Sequence, residues 1–361
     1  MALYFLKAAG VFFIAAVAVF AILSSRSYAQ TDAEATLARL NALAPKERQD
    51  ALVAGARIEG VLEWYGSQQA ADVREILDLF KRRYPFVEVR YTRGGGTNVV
   101  GRALTERKAG ADRADMIAGR GNLHDALMKA GMVAKNLTPA RREIRDGFMD
   151  AAGVFLGTYS YSLVPGYNTK LVPAAQAPAT YRDLLDPAWK NQMAMDYEAY
   201  DWLAGVQDIL GEKSGLEFAR AMARQGVRLQ RGHTLLTQLM AAGEFKLIVD
   251  GYNYQLQTFK EKGVPVDYVV TDPMILKEPS GIWILKRAPH PHAAALLVDL
   301  LFSREVQQIF AGQNRLAARK DMDWNFGGKR VGRTHILSAE QWGPKYDRLV
   351  KQFGEIFRPG G

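Results

Sequence analysis

The chain has 361 residues, with 47 Lys and Arg against 38 Asp and Glu, a net charge of +9, and no cysteine. The absence of cysteine excludes disulfides, thiolate metal sites and cysteine nucleophiles, and the basic residues form no dense block of the kind that binds nucleic acid. A chain of this length is too long for a typical single core and suits two lobes.

The N-terminus is typical of a cleavable export signal. Lys7 supplies positive charge, residues 10–23 are apolar, and Ser27 and Ala29 are small residues suitably placed for cleavage before residue 30. The apolar run is shorter than the ~20 residues of a spanning helix, although an uncleaved anchor is the alternative. Removing residues 1–29 leaves 332 residues, 45 of them basic and 38 acidic, with a net charge of +7. We therefore expect a periplasmic protein.

Two short helices are predicted over residues 31–57, where leucines recur at helical spacing. Strands and helices then alternate, which predicts a parallel sheet covered on both faces. In such sheets ligands bind beyond the carboxyl ends of the strands. The predicted strands span 60–65, 87–91 and 115–118, and the predicted helices span 72–84 and 98–110.

A second α/β unit is predicted for residues 191–268, after an extended crossing over residues 153–167. The last fifty residues are predicted to be helical. The further predicted strands are 192–195, 246–250 and 281–285, and the predicted helices are 214–225, 234–242, 292–302 and 303–312.

Several blocks, taken in their order and spacing, resemble the ferric-type branch of the type II periplasmic solute-binding proteins, which are the receptors of ABC importers. The resemblance spans about residues 56–320. The blocks are 56–67, 114–117, 121–122, 130–133, 166–170, 184–190, 281–294 and 302–303.

The resemblance implies an α/β fold of two hinge-linked lobes with the ligand in the cleft between them. The first lobe would comprise residues 30–162 and 278–361, and the second residues 163–277. The implied protein is a monomer that works with a permease and ATPase complex and has no cofactor. Its transported ligand would be either Fe(III) or a small organic anion.

Three loops of the first lobe are predicted to contact this ligand. The first offers a phenol and a hydroxyl after strand one, and the other two offer backbone N–H groups near helix N-termini, which attract negative charge. The predicted residues are Tyr65, Ser67 and Gln68 in the first loop, Gly95, Gly96 and Thr97 in the second, and Gly121 and Asn122 in the third.

Two polar, aromatic segments of the second lobe complete the predicted site. Asp196, Tyr197 and Tyr200 belong to the first, and Tyr252, Asn253 and Tyr254 to the second. The resembled ferric proteins carry adjacent tyrosines at the second segment, where Asn253 intervenes here. Both tyrosines would face the cleft if this segment were a strand, but not if it began a helix.

The choice of ligand stays open at this point. Fe³⁺ favours phenolate oxygens that have lost their protons, and its ligands would be Tyr65, Tyr197, Tyr252 and Tyr254. Asn253 suits hydrogen bonding to an organic anion equally well.

Two other functions compete with transport. The same lobes could report ligand occupancy to a membrane receptor. A periplasmic enzyme could use Asp196, Glu198 and Asp201 as acid and base, with Ser67 as nucleophile. Ser67 lacks a Gly-x-Ser-x-Gly elbow and an evident histidine partner, so we expect the chain not to be an enzyme.

Overall fold

The computed structural model describes residues 32–121, 123–324 and 326–358, so the predicted signal segment 1–29 and Asn122 lie outside the described residues. The described part of the chain forms two α/β units, each built on its own sheet. None of the helices in these ranges is both long and apolar enough to cross a membrane.

The strands are numbered in chain order. They are β1 Val61–Gly66, β2 Glu88–Arg93, β3 Met116–Gly119, β4 Leu156–Gly157, β5 Tyr159–Ser160, β6 Ser162–Asn168, β7 Met193–Asp196, β8 Arg228–Gln230, β9 Leu247–Tyr252, β10 Val266–Tyr268, β11 Met274–Leu276, β12 Gly281–Ile284, β13 Leu316–Ala317 and β14 Thr334–Ile336.

The α-helices cover the faces of both sheets. They are Ala33–Asn41, Pro45–Glu59, Ala70–Arg83, Gly96–Lys108, Leu123–Lys129, Tyr200–Leu210, Glu212–Arg224, His233–Ala242, Asn253–Glu261, Pro291–Leu301, Arg304–Gly312, Ala339–Trp342 and Tyr346–Phe357.

The first sheet has the order β2-β1-β3-β12-β4. β1 pairs in parallel with β2 and β3, as the alternating pattern predicts, while β12 runs antiparallel to β3 and β4. The carboxyl ends of the three parallel strands therefore meet at one edge. The loops after β1 and β3 lie at that edge.

The second sheet has the order β14-β11-β6-β9-β7-β8, with β10 also paired to β6. Its central strands β6 and β9 are buried along their whole length, and this burial includes polar residues such as Asn168 and Asp250. The helices Tyr200–Leu210 and Asn253–Glu261 were not predicted, because each begins with polar and aromatic residues that resemble a loop.

Two crossing segments lie side by side between the sheets and form a hinge. Residues 158–161, which include β5, lead from β4 to β6, and residues 277–280 lead back from β11 to β12. The Lys277 amide donates to the Tyr161 carbonyl (3.0 Å), and the Ser280 amide donates to the Tyr159 carbonyl (2.8 Å). The side chains of these crossings consequently stand on the floor between the two sheets.

The C-terminal segment differs from its expected assignment to the first lobe. β14 pairs in parallel with β11 of the second sheet, and the side chains of Leu349 and Phe353 join the second lobe's core. The predicted first-lobe range 278–361 is therefore wrong for this segment. The chain crosses between the sheets a third time after β13, where no pattern in the sequence indicates a crossing.

Candidate functional site

A cleft opens above the hinge, between the carboxyl edge of the first sheet and the second sheet. One part of it has a volume of about 220 Å³ and the other about 400 Å³, and both are lined by Gln69, Arg120, Tyr252, Tyr254 and Lys277. Residues from both lobes and from the hinge thus share one space. The smaller volume is below the ~300 Å³ at which drug-sized ligands begin, so it suits a small solute.

Tyrosine rings form the second-lobe side of this cleft. The Tyr161 ring lies edge-on to Tyr252 and Tyr254, with centroids 4.8 and 5.2 Å apart, and the Tyr252 and Tyr254 rings stack at 5.9 Å. Tyr252 ends β9 and Asn253 begins a helix. Both rings nevertheless line the cleft, which contradicts our expectation that a helix start would separate them.

A histidine supports Tyr252 from behind. The His233 ring stacks on the Tyr252 ring with centroids 3.6 Å apart and an interplanar angle of 15°. Its Nε2 lies 3.3 Å from an Asp250 carboxylate oxygen, and its Nδ1 lies 3.7 Å from Asp196. Asp196 also accepts hydrogen bonds from the amides of Glu198 (2.9 Å) and Gly232 (2.7 Å). These contacts hold the Tyr252 ring in one orientation.

Three cations reach the smaller part of the cleft, and two of them are paired. The Arg315 guanidinium donates to Asp72 (2.8 Å) and lies 4.6 Å from the Tyr159 ring centroid. The Lys277 ammonium is ion-paired with Asp201. Arg120 is solvent-exposed and makes no ion pair or hydrogen bond within the described ranges. The Arg120 guanidinium is therefore free to bind a ligand in the cleft.

Burial controls the protonation of the phenols. It raises the pKa of Tyr252 well above its ordinary value, against the lowering effect of Lys277. Burial likewise raises the pKa of Tyr254 and of Tyr159. At neutral pH the three phenols are protonated and can donate hydrogen bonds to a ligand. Phenolate coordination requires a metal ion to displace their protons.

Five of the predicted residues line the cleft. They are Ser67 and Gln68 of the first lobe and Asp196, Tyr252 and Tyr254 of the second. Gln68 reaches toward the hinge, where its Nε2 lies 3.5 Å from the Ser280 hydroxyl. The strand-end argument therefore located one loop of the first lobe and two segments of the second, at the ends of β7 and β9.

Tyr65 and Asn253 do not face the cleft. Tyr65 is 1% exposed, and its hydroxyl donates to the Glu106 carboxylate (2.9 Å) of the helix Gly96–Lys108. Asn253 is 0% exposed, and its amide bonds the Ser162 N–H (2.8 Å) and the Asn314 carbonyl (2.9 Å). Tyr65 is consequently no metal ligand, and Asn253 joins the crossing strand to the turn before β13.

The other predicted aromatic residues have structural partners. Tyr200 packs edge-on against Tyr346 and Phe353 of the C-terminal segment. The Tyr197 ring lies between the guanidinium groups of Arg231 and Arg358, at 4.3 and 4.4 Å. The hydrogen-bonded Arg358 lowers the pKa of Tyr197. Neither ring lines the two cleft volumes.

The predicted glycines do not line either part of the cleft. Gly95 caps the helix Gly96–Lys108, and neither it nor Gly96 nor Thr97 lines the cleft volumes. A Cβ on Gly121 would lie 2.3 Å from Glu278 Cγ, so only glycine lets this loop approach the hinge.

Sequence reasoning missed the charged residues of the site. Arg120 lies between Gly119 and Gly121 in the third predicted ligand loop. A charged residue within a glycine-containing ligand loop is the sequence signal that could have identified it. Lys277 and Glu278 lie in the crossing segment, where isolated charges carry no local pattern. Arg315 and Tyr161 likewise reach the cleft only through the tertiary fold.

The oxygen and nitrogen donors of the described residues decide whether the cleft could bind a metal ion. No group of three or more His, Asp or Glu side chains in the described ranges is arranged to hold a metal ion. Tyrosines are the most numerous hard oxygen donors here, and four of them line the smaller part of the cleft with Arg120. The arrangement can bind an anion directly, or a ferric ion through phenolates.

Comparisons with known proteins agree on the fold. A family model described as bacterial extracellular solute-binding protein matches residues 111–326. An Fe(3+)-binding periplasmic protein of Serratia marcescens is 23% identical over 241 residues, which cover 62% of this chain and 68% of that protein.

Solved structures give the same result. A Trichodesmium protein (IdiA, FutA) in complex with iron and citrate has a TM-score of 0.71 and 18% identity, covering 82% of this chain and 99% of that one. AfuA of Actinobacillus pleuropneumoniae with fructose-6-phosphate bound has a TM-score of 0.66 and 19% identity, covering 84% and 100%. These likenesses confirm the predicted two-lobe binding-protein fold.

Proposed function

Because this chain belongs to the bacterial extracellular solute-binding protein family, we propose that it is the periplasmic receptor of an ABC importer and captures a small solute with an anionic group. The observation that carries the proposal is Arg120, an unpaired guanidinium of the first lobe that lines the same cleft as the phenols of the second. Guanidinium groups bind carboxylates and phosphates through paired, charge-assisted hydrogen bonds.

Binding would work without breaking a bond. The anionic group would accept hydrogen bonds from Arg120, while the protonated phenols of Tyr252 and Tyr254 would donate from the opposite wall. Contacts with both walls exist together only when the lobes are closed, so the ligand shifts the population toward the closed form. A permease would then recognise that form.

Fe(III) accompanied by an anion is the second candidate. Three tyrosine rings with centroids 4.8 to 5.9 Å apart favour it, as do the relatives that bind iron. Burial raises the pKa of Tyr252, and Lys277 opposes this effect, so its charge assists loss of the phenol proton. The same cation repels Fe³⁺, and a bound anion would have to neutralise it.

Calorimetric titration of the stripped, mature protein tests these candidates. The probes are inorganic phosphate, citrate, glycerol 3-phosphate and ferric citrate, and a visible spectrum accompanies the last. An organic anion that binds without colour, and binds poorly to Arg120→Ala, supports the first candidate. A charge-transfer band that disappears in Tyr252→Phe, with no binding of the iron-free anions, would establish the ferric candidate.

Three further features belong to the proposal. The receptor would act as a monomer, which light scattering tests. It would leave its solute chemically unchanged, so ³¹P spectra of a bound phosphate ester should show no product. Delivery to a permease and ATPase complex would appear as ligand-dependent stimulation of ATP hydrolysis by that complex in membrane vesicles.

A further inference from the structure

The cleft floor holds one carboxylate without a partner from another residue. Glu278 lies in the hinge crossing, is 7% exposed and lines the smaller part of the cleft. Across the described ranges, no other residue gives its side chain a hydrogen bond or an ion pair. A buried carboxylate left in this state costs free energy that a ligand can recover.

The remaining charges around it are already matched. Arg315 pairs with Asp72 at 2.8 Å, and Lys277 pairs with Asp201. In the larger part of the cleft, Arg231 lies 3.5 Å from Glu198. Among the described residues, two opposite charges are therefore left facing the ligand space, the Arg120 guanidinium and the Glu278 carboxylate.

The backbone brings these two groups close without pairing them. Arg120 is the neighbour of Gly121, and a Cβ at Gly121 would lie 2.3 Å from Glu278 Cγ and 3.2 Å from the Pro279 carbonyl. The loop that carries Arg120 thus rests directly on Glu278. Since the two charged groups are nevertheless farther apart than an ion pair, they can contact two different groups of one small molecule.

We propose that Glu278 accepts a hydrogen bond from a hydroxyl or ammonium group of the ligand whose anionic group binds Arg120. The inference rests on the proposed function and narrows its ligand to a hydroxy- or amino-substituted anion. An anion without such a donor leaves the carboxylate unpaired and places two negative groups side by side. Sites built to bond a ligand donor discriminate strongly against analogues that lack it.

Two matched pairs of phosphate monoesters test the inference by calorimetry. Glycerol 3-phosphate is compared with n-propyl phosphate for the hydroxyl donor, and phosphoethanolamine with ethyl phosphate for the ammonium donor. The wild-type protein should bind at least one donor-bearing ester about tenfold or more tightly than its partner, as expected for hydrogen bonds to charged groups. The pair that shows the preference identifies the donor.

Glu278→Gln should remove most of that preference, by weakening the donor-bearing ester and tightening its partner. Glu217→Gln is the matched control, because Glu217 is exposed on the outer helix Glu212–Arg224 and its loss should leave the ratio unchanged. The wild-type comparison decides the question even if the Gln variant does not fold.

The pH profile separates direct contact from a structural role. Burial and the Asp201 carboxylate raise the pKa of Glu278 to about 7, while Lys277 and Arg120 oppose them; Tyr159 and Tyr161 are the other titratable groups of the adjacent crossing. n-Propyl phosphate should therefore bind relatively better at pH 6 than at pH 8. The phosphate ester itself also titrates between these pH values, and it does so equally with both proteins. Glu278→Gln should therefore lack the part of the pH dependence that comes from the Glu278 carboxyl.

The outcomes are distinguishable. Equal affinities within both pairs would overturn the role of Glu278 and leave the anion receptor intact. Failure of all four esters to bind, together with a coloured ferric complex, would overturn the anion receptor and the inference with it.

Discussion

The two walls of the cleft are built in different ways. The first-lobe wall presents Arg120, an exposed and unpaired charge on a loop, whereas the second-lobe wall presents Tyr252, which is 9% exposed and stacked on His233. One wall thus offers a charge that is free to contact a ligand, and the other offers donors held in place before the ligand arrives. A closing receptor needs both. Preorganised donors lower the entropy cost of binding, and the contact between the ligand and the free charge stabilises the closed form.

Removing the free charge should have the largest effect. Arg120→Ala should weaken binding of an anionic ligand about a hundredfold, since it removes paired hydrogen bonds to a charged group. Arg113→Ala is the control, because Arg113 is exposed at the other end of β3. Calorimetry measures both. Equal loss in the two variants would mean that net charge, and not the Arg120 contact, attracts the ligand.

The buried Glu278 of the hinge should make the stability of the protein depend on pH. The pKa of Glu278 is raised from 4.5 to about 7 by burial and by Asp201, so the folded state holds this proton more tightly than the unfolded state. Stability present at low pH is therefore lost as pH rises from about 4.5 to about 7. Ligand-free Glu278→Gln should exceed the wild type in unfolding free energy by about 3 kcal/mol at pH 8 and by little at pH 4.

Urea unfolding at the two pH values measures this difference, with Glu217→Gln as the exposed control. A gap of the same size at both pH values would show that the carboxylate is not strained by its burial. Burial of Glu278 in the hinge would then contribute no free energy that ligand binding could recover on closure. The contrast between the two walls would not depend on Glu278.

Removing one hydroxyl from the preorganised wall should have a moderate effect. Tyr252→Phe keeps the ring that stacks on His233 and loses only a hydrogen-bond donor, so an organic anion should bind about tenfold more weakly. A ferric ligand would lose a phenolate, and its colour would disappear. Titration with citrate and a spectrum with ferric citrate distinguish these results, and unchanged values in both would assign the ring to packing alone.

The contrast between the walls also explains what the sequence could predict. Strand–helix alternation gave the first sheet and its strand ends, because that signal is local and periodic. The tyrosines at 252 and 254 were visible because they follow an apolar strand. Arg120, Lys277 and Glu278 were not, since their roles arise from a loop and a crossing that meet only in the folded chain.

Tyr65 shows most clearly where prediction of the site from sequence fails, and its substitution should have the smallest effect on ligand affinity. It stands at the predicted strand end, but alternation along β1 turns it away from the cleft and toward Glu106. Tyr65→Phe should therefore leave ligand affinity unchanged and cost about 1 kcal/mol of stability, by removing one buried hydrogen bond. Denaturant unfolding and titration check the two halves. Loss of affinity comparable to that of Tyr252→Phe would mean that the first-lobe wall, too, recognises its ligand through a phenol.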